Sequence, residues 1–188
     1  KLTEWIPDCM PELVGVDPVR GWMLMHDGGE QLRKFIRPAK DVKPWVTIIP
    51  RYADVQIKLV DHLPEILALA VPDHRLDFLP TLYTELLADE ESLMIDQQKG
   101  LTSGEFQDLK DKASRFQQIC RDLAALGIPE TLNQCDFHDG NVLVKNERIT
   151  FFDWGDVCVS HPFVSLPTFF VSIEISLQLE DYSFTPEM

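Results

Sequence analysis

Positive charge is in short supply in this sequence. Lys and Arg number 17 against 31 Asp and Glu, a formal charge of -14. Nucleic-acid backbones are held by clustered Lys and Arg, so no nucleic-acid partner is expected. The acidity suits a cationic small-molecule substrate, although solubility alone accounts for it more simply. Cysteine is sparse and scattered. Cys9, Cys120, Cys135 and Cys158 lie far apart with no C-x-x-C pair, which argues against a zinc knot or disulfide framework and for reduced thiols. Long apolar runs are also missing: 63–71 and 164–175 are too short, or too interrupted by Pro and Ser, to span a bilayer. No membrane partner is expected. The opening Lys1-Leu2-Thr3-Glu4-Trp5 has neither an initiator Met nor the basic-then-apolar profile of a signal peptide. The expectation is a cytoplasmic chain that is a piece of a longer one.

What is present suffices for one ordinary domain: 188 residues, 45% of them hydrophobic. Gly21-Trp22-Met23-Leu24-Met25 reads as a strand, and His26-Asp27-Gly28-Gly29 as a linker. A short helix is expected over Glu30–Ile36, and Pro38, Pro44 and Pro50 predict loops and short turns after it. Asp54 is placed as the N-cap of a helix carrying Val55, Leu59, Val60, Leu63 and Leu67, which Pro64 must kink or split. The clearest helix runs over Gly104–Leu126. Phe106, Leu109, Ala113, Phe116, Cys120 and Leu123 form its apolar stripe, Thr102 and Glu105 a capping box, and Gly127 and Pro129 its stop. Val142–Val144 and Ile149–Phe152 then read as a hairpin around Lys145-Asn146-Glu147-Arg148. The sum is an α+β chain, mainly helical, with a minor sheet.

Chemistry concentrates around that hairpin. Gln134-Cys135-Asp136-Phe137-His138-Asp139-Gly140-Asn141 precedes it, and Asp153-Trp154-Gly155-Asp156 follows it. With Asn146 and Glu147 at the tip, Asn141 faces Phe152, so Asn141 and Asp153 come side by side with Asp136 close behind. A carboxylate beside an amide oxygen is a hard donor set suited to magnesium, which takes few protein ligands and substrate phosphates. A second carboxylate nearby can accept the proton of an attacking hydroxyl. Catalytic Asp, metal-binding Asn five residues on, and a further metal-binding Asp are the parts that phosphoryl transfer requires.

The run Asp136-Phe-His-Asp-Gly-Asn-Val-Leu-Val144 resembles the catalytic loop of aminoglycoside phosphotransferases and choline kinases, and Phe151-Phe-Asp-Trp-Gly-Asp156 resembles their second acidic motif. The resemblance implies the mainly helical C-terminal lobe of a protein-kinase-like fold, its small hairpin carrying the metal site. Asp136 would be the catalytic base, Asn141 and Asp153 would hold Mg2+ against the phosphates of ATP, and Asp156 would be a further acidic site residue. Trp22 to Gly29, with Leu32 and Arg33, resembles the inter-lobe hinge, where Met23, Leu24 and Met25 would meet the nucleotide. Residues 1–29 are thus expected to close an N-lobe and form the hinge, and 30–188 to form the catalytic lobe. No glycine-rich phosphate loop or Lys and Glu pair precedes residue 21, so the N-lobe is expected outside this chain, as are further helices after Met188.

The implied activity is transfer of the ATP γ-phosphate to a hydroxyl of a small molecule: an aminoglycoside, choline-like amine, amino alcohol or sugar. Gln134-Cys135 stands where the family has His-Gly, which motivates an alternative, a kinase-like pseudoenzyme or binding module. A third reading makes Asp136, His138 and Asp153 the ligands of a metal-dependent hydrolase. His138 and His161 are otherwise structural residues, and Cys135 packs.

Overall fold

The computed structural model describes residues 1–179; the end of the expected catalytic lobe, 180–188, lies outside the described residues. The chain opens with α1 (Leu2–Trp5), β1 (Leu13–Asp17), β2 (Trp22–Met25), β3 (Glu30–Gln31) and α2 (Arg33–Ala39). Four helices follow, α3 (Trp45–Leu59), α4 (Leu63–Ala68), α5 (Leu79–Ala88) and α6 (Ser103–Asp111), and then α7 (Ala113–Ala125). After them come β4 (Thr131–Gln134), β5 (Val142–Lys145), β6 (Arg148–Phe151), β7 (Val157–Ser160) and α8 (Leu166–Leu177). Helix dominates, and the strands form three small antiparallel sheets, β1-β2, β3-β5-β6 and β4-β7.

Helix α3 corrects the expectation of loops around Pro44 and Pro50. It starts at Trp45, passes through Pro50 and contains Asp54 in its interior, not as its cap. An interior proline costs about 3 kcal/mol through the lost N–H and a clash with the preceding turn. Here Trp45, Ile48, Tyr52, Val55 and Leu59 are all buried on one face, and burying each such side chain contributes about 1.5–3 kcal/mol. Packing outweighs the break. Pro64 does split the apolar run: a 3-10 turn over Val60–His62 precedes α4, whose first turn contains the proline.

The helix expected over Glu30–Ile36 starts only at Arg33, because Glu30 and Gln31 pair with Val144 and Leu143 as a third strand on the hairpin. The long helix expected over Gly104–Leu126 is broken at Lys112 into α6 and α7. Its capping box is present: Thr102 Oγ1 accepts from the Glu105 N–H at 3.2 Å, and the Glu105 carboxylate accepts from the Thr102 N–H at 2.8 Å. Phe116 stacks on Tyr83 of α5 at 4.7 Å, and Gly127 ends the helix with φ +65°.

The core lies where α3 meets the hairpin and the loop after β4. Tyr52 stacks on Phe137 at 3.9 Å and meets Phe151 edge-on, while Trp45 meets Phe137 and Phe169 edge-on. Tyr52 also exchanges a 2.8 Å hydrogen bond with Ser165 Oγ, and its oxygen accepts from the Gln134 N–H at 2.9 Å. Burial pushes its hydroxyl up to about 12, so the phenol stays neutral and ties the base of the loop to α3.

Candidate functional site at the ends of two sheets

Strand β4 delivers the loop. Its four residues are buried, it pairs with β7, and the Cys135 N–H extends the pairing to the Asp156 carbonyl at 2.8 Å. Asp136 emerges immediately after it, with Phe137 anchored in the core. His138 then reaches back to Asp136. Its Nδ1 accepts from the Gly140 N–H at 2.9 Å and faces Arg33 Nη2 at 3.3 Å, so the proton resides on Nε2, which donates to Asp136 Oδ2 at 3.2 Å. Asn141 Nδ2 donates to the Asp136 carbonyl at 2.9 Å and to the same Oδ2 at 3.1 Å. One carboxylate oxygen is thereby fixed by two donors. The other has no protein partner among the described residues.

The hairpin adds the second carboxylate. Val142 faces Phe151 and Lys145 faces Arg148, with Asn146 and Glu147 at φ +48° and +66° as the type I′ turn that matches the strand twist. Asn141 and Phe152 continue the register, the Phe152 N–H donating to the Asn141 carbonyl at 2.8 Å. Asp153 therefore comes next to Asn141. Its backbone is left-handed, φ +59°, an unfavourable state for a non-glycine residue of the kind that concentrates at functional sites. Gln134 contributes to holding it there: fully buried, its Nε2 donates to the carbonyls of Phe152 and, at 2.8 Å, of Asp153. This contact ties the end of β4 to the strand end that carries Asp153.

The donor set fits magnesium. Asn141 spends its nitrogen on Asp136, which turns its amide oxygen elsewhere, and the exposed Asp153 carboxylate has no partner among the described residues. Both are hard oxygens, few enough to leave places for phosphate and water. No three His, Cys, Asp or Glu among the described residues gather tightly enough to hold a metal by themselves. That removes the support for Asp136, His138 and Asp153 as a hydrolase's ligand set.

Two cavities meet this region. One of about 710 Å3, largely apolar, is lined by Leu13, Met23, Met25, Leu132, Phe152 and Asp153 among others. Met23 and Met25 of the expected hinge thus share a cavity with Asp153, and Leu24 is not among its lining residues. The other, about 390 Å3, is lined by His74, Cys135, Asp136, Asp156, Val157 and Cys158. Asp156 stands beside Asp136 in that second cavity, not with Asp153. His74, from the segment between α4 and α5, lines that second cavity, and Asp89, Glu90 and Glu91 face solvent at the end of α5.

Beneath the loop is a charge network the sequence did not announce. Asp139 is fully buried and receives both Arg37 nitrogens, Nε at 2.6 Å and Nη2 at 2.8 Å, with Arg33 Nε at 3.6 Å and Ser176 Oγ at 3.3 Å. Arg37 is held more firmly protonated by this bond. Arg33 also fills the space over Gly140, where an added Cβ would fall 1.5 Å from its Nη2. The spacing of Arg33 and Arg37, one helical turn apart, was the available signal.

A model described as the phosphotransferase enzyme family matches residues 26–166 of this chain. Among solved structures, the crystal structure of a choline/ethanolamine kinase family protein from Mesorhizobium loti is similar, with a TM-score of 0.54 at 21% identity. That likeness covers 94% of this chain and 57% of the other. The chain therefore spans little more than half the length of that relative, and at such identity the likeness speaks to fold. No curated protein matches the chain. No helix among the described residues is long and apolar enough to cross a membrane.

Proposed function

The chain belongs to the phosphotransferase enzyme family, and from that premise we propose that it carries the catalytic end of a small-molecule kinase, moving the γ-phosphate of ATP to an alcohol. Residues 1–29 are the end of the nucleotide-gripping lobe and the hinge, and 30–188 the catalytic lobe. The observation that carries the reading is the hydrogen bond of Asn141 Nδ2 to Asp136 Oδ2, which joins a base to a metal-binding amide while leaving each an oxygen without a partner among the described residues.

In this reading the acceptor hydroxyl enters the cavity of His74, Asp136 and Asp156 and gives its proton to Asp136 Oδ1 as its oxygen attacks the γ-phosphorus, whose bond to the bridging oxygen breaks to release ADP. His138 and Asn141 hold the other carboxylate oxygen, so the base keeps one orientation through the transfer. The adenine would rest in the apolar cavity of Met23 and Met25, and Asp153 and Asn141 Oδ1 would hold magnesium. Magnesium there would neutralise charge on the transferring phosphate. A cationic amine on the acceptor would be drawn by Asp156. The loop after β4 also weighs against the binding-module alternative, because Gln134, whose presence motivated it, takes a positioning role at the Asp153 backbone.

Asp136→Asn in the full-length protein, assayed by Mg-ATP-dependent ADP release against amino sugars, choline-like amines, amino alcohols and sugars, is expected to lose about 10²–10⁴-fold in kcat. Melting temperature and circular dichroism should stay unchanged. Turnover near wild type would refute the assignment of Asp136, and a wild-type protein without magnesium-dependent nucleotide binding would favour the binding module.

A further inference from the structure

Cys135 and Cys158 are 23 positions apart, yet their Sγ atoms lie 3.4 Å apart. The β4-β7 register explains the meeting. Asn133 pairs with Cys158, so Cys135, two residues on, projects from the same face on the adjacent diagonal. The two thiols differ in access: Cys158 is buried, Cys135 is half-buried, and both line the cavity that contains Asp136. We propose that Cys135 and Cys158 are a peroxide-responsive thiol pair whose disulfide withdraws Asp136 from its working position.

The remaining chemistry supports the pairing. The hydrogen bond shared with the Cys158 thiol brings Cys135 down to about 7, against burial and Asp156, while the same contact and burial push Cys158 up. Cys135, the more exposed of the two, is the nucleophile that peroxide reaches, and Cys158 is the buried partner beside it. Burial pushes Cys9 and Cys120 up, which leaves them less reactive. The oxidant is hydrogen peroxide or an organic hydroperoxide. The Cys135 thiolate attacks one peroxide oxygen, the O–O bond breaks, and the leaving hydroxide or alkoxide takes up the proton that the thiol gave up. Cys158 sulfur then attacks the sulfenic sulfur: the S–S bond forms, the S–O bond breaks, and the Cys158 proton leaves with that oxygen as water. Two thiols lose two electrons, and peroxide becomes two waters, or water and an alcohol.

Closing the bond moves the chain. Sulfurs 3.4 Å apart must come to about 2.05 Å, and diagonal strand neighbours stand farther apart than a relaxed bridge prefers. Cys135 is held by its N–H to Asp156 and by its carbonyl, which accepts from Thr168 Oγ1 at 2.9 Å. Drawing it toward β7 displaces Asp136, the next residue. A base misplaced by about 1 Å can cost 10²-fold in rate.

Reduced full-length protein is treated with stoichiometric hydrogen peroxide, its free thiols are blocked with N-ethylmaleimide, and the digest is read by mass spectrometry. A cross-linked peptide joining Cys135 to Cys158, two hydrogens lighter, is expected, reversed by dithiothreitol. In Cys158→Ser the expected product is Cys135 sulfenic acid trapped by dimedone, with no cross-link. Alkylation of both cysteines after peroxide overturns the proposal, as does the same product in wild type and variant. The effect on turnover rests on the phosphotransfer reading: activity should fall up to about a hundredfold on oxidation and return on reduction. Cross-linked protein at full speed overturns the withdrawal of Asp136. A protein inert in both states sinks the phosphotransfer reading instead, while the cross-link stands or falls by its mass.

Discussion

Asp139→Ala removes a carboxylate that two arginines share beneath the loop after β4. In the native chain it is fully buried and takes two charge-assisted bonds from Arg37 at 2.6 and 2.8 Å. Breaking a buried pair from one side commonly costs about 3–5 kcal/mol, because a charge is left without a partner. The charges left behind here are on side chains 37% and 35% exposed, so they can regain water, and the expected cost falls to about 2–3 kcal/mol. For a chain of this length that is a fall in Tm of roughly 4–12 °C. Urea denaturation should show a lower midpoint with an unchanged slope. Replacing the pair together, Arg37→Met with Asp139→Leu, should recover part of the loss, since only Arg33, at 3.6 Å and 35% exposed, then lacks the carboxylate. A single variant within about 0.5 kcal/mol of wild type would refute the assignment of Asp139 as the anchor of the loop.

Thr102→Ala should cost about 1 kcal/mol in urea, because it removes the side-chain half of the capping box that opens α6; no change would mean the helix start is held elsewhere. His161 carries a pH dependence. Burial holds it below the ordinary histidine value, and its Nε2 is buried without a partner among the described residues. The unfolded chain therefore takes up a proton before the folded one does, so stability should fall as pH drops below about 6.5. His161→Asn, which can still accept from the Phe163 N–H, should flatten that slope, measured as ΔG against pH from 7 to 5. An equal slope in both proteins would assign the pH dependence to other groups.

What was legible in the sequence was local or locally mirrored. The capping box depends on residues three apart, and the hairpin on a turn whose two tip residues fix its register, so Asn141 and Asp153 could be brought together without any structure. Strand β4 was not legible. Thr131-Leu132-Asn133-Gln134 is largely polar, shows no useful alternation because all four residues are buried, and finds its partner only beyond the entire hairpin. The helix through Pro50 was hidden for a related reason, since its stability resides in partners such as Phe137, Phe151 and Phe169. The Asp139 network and the Cys135–Cys158 contact each join distant parts of the chain, and no spacing rule reaches that far.

Gln134 bridges two sheets that share no strand. On one side of it, Asp136 and Asp156 flank β4 and β7 and, in the proposed function, would face the incoming alcohol; on the other, Asn141 and Asp153 flank β5 and β6 and would face the phosphate donor. The amide is a joint between two modules of unlike duty. If the proposed function holds, substitutions along the β7 edge or at His74 would reshape the acceptor side while the donor side keeps its geometry, so acceptor preference would be free to drift under a constant phosphate chemistry.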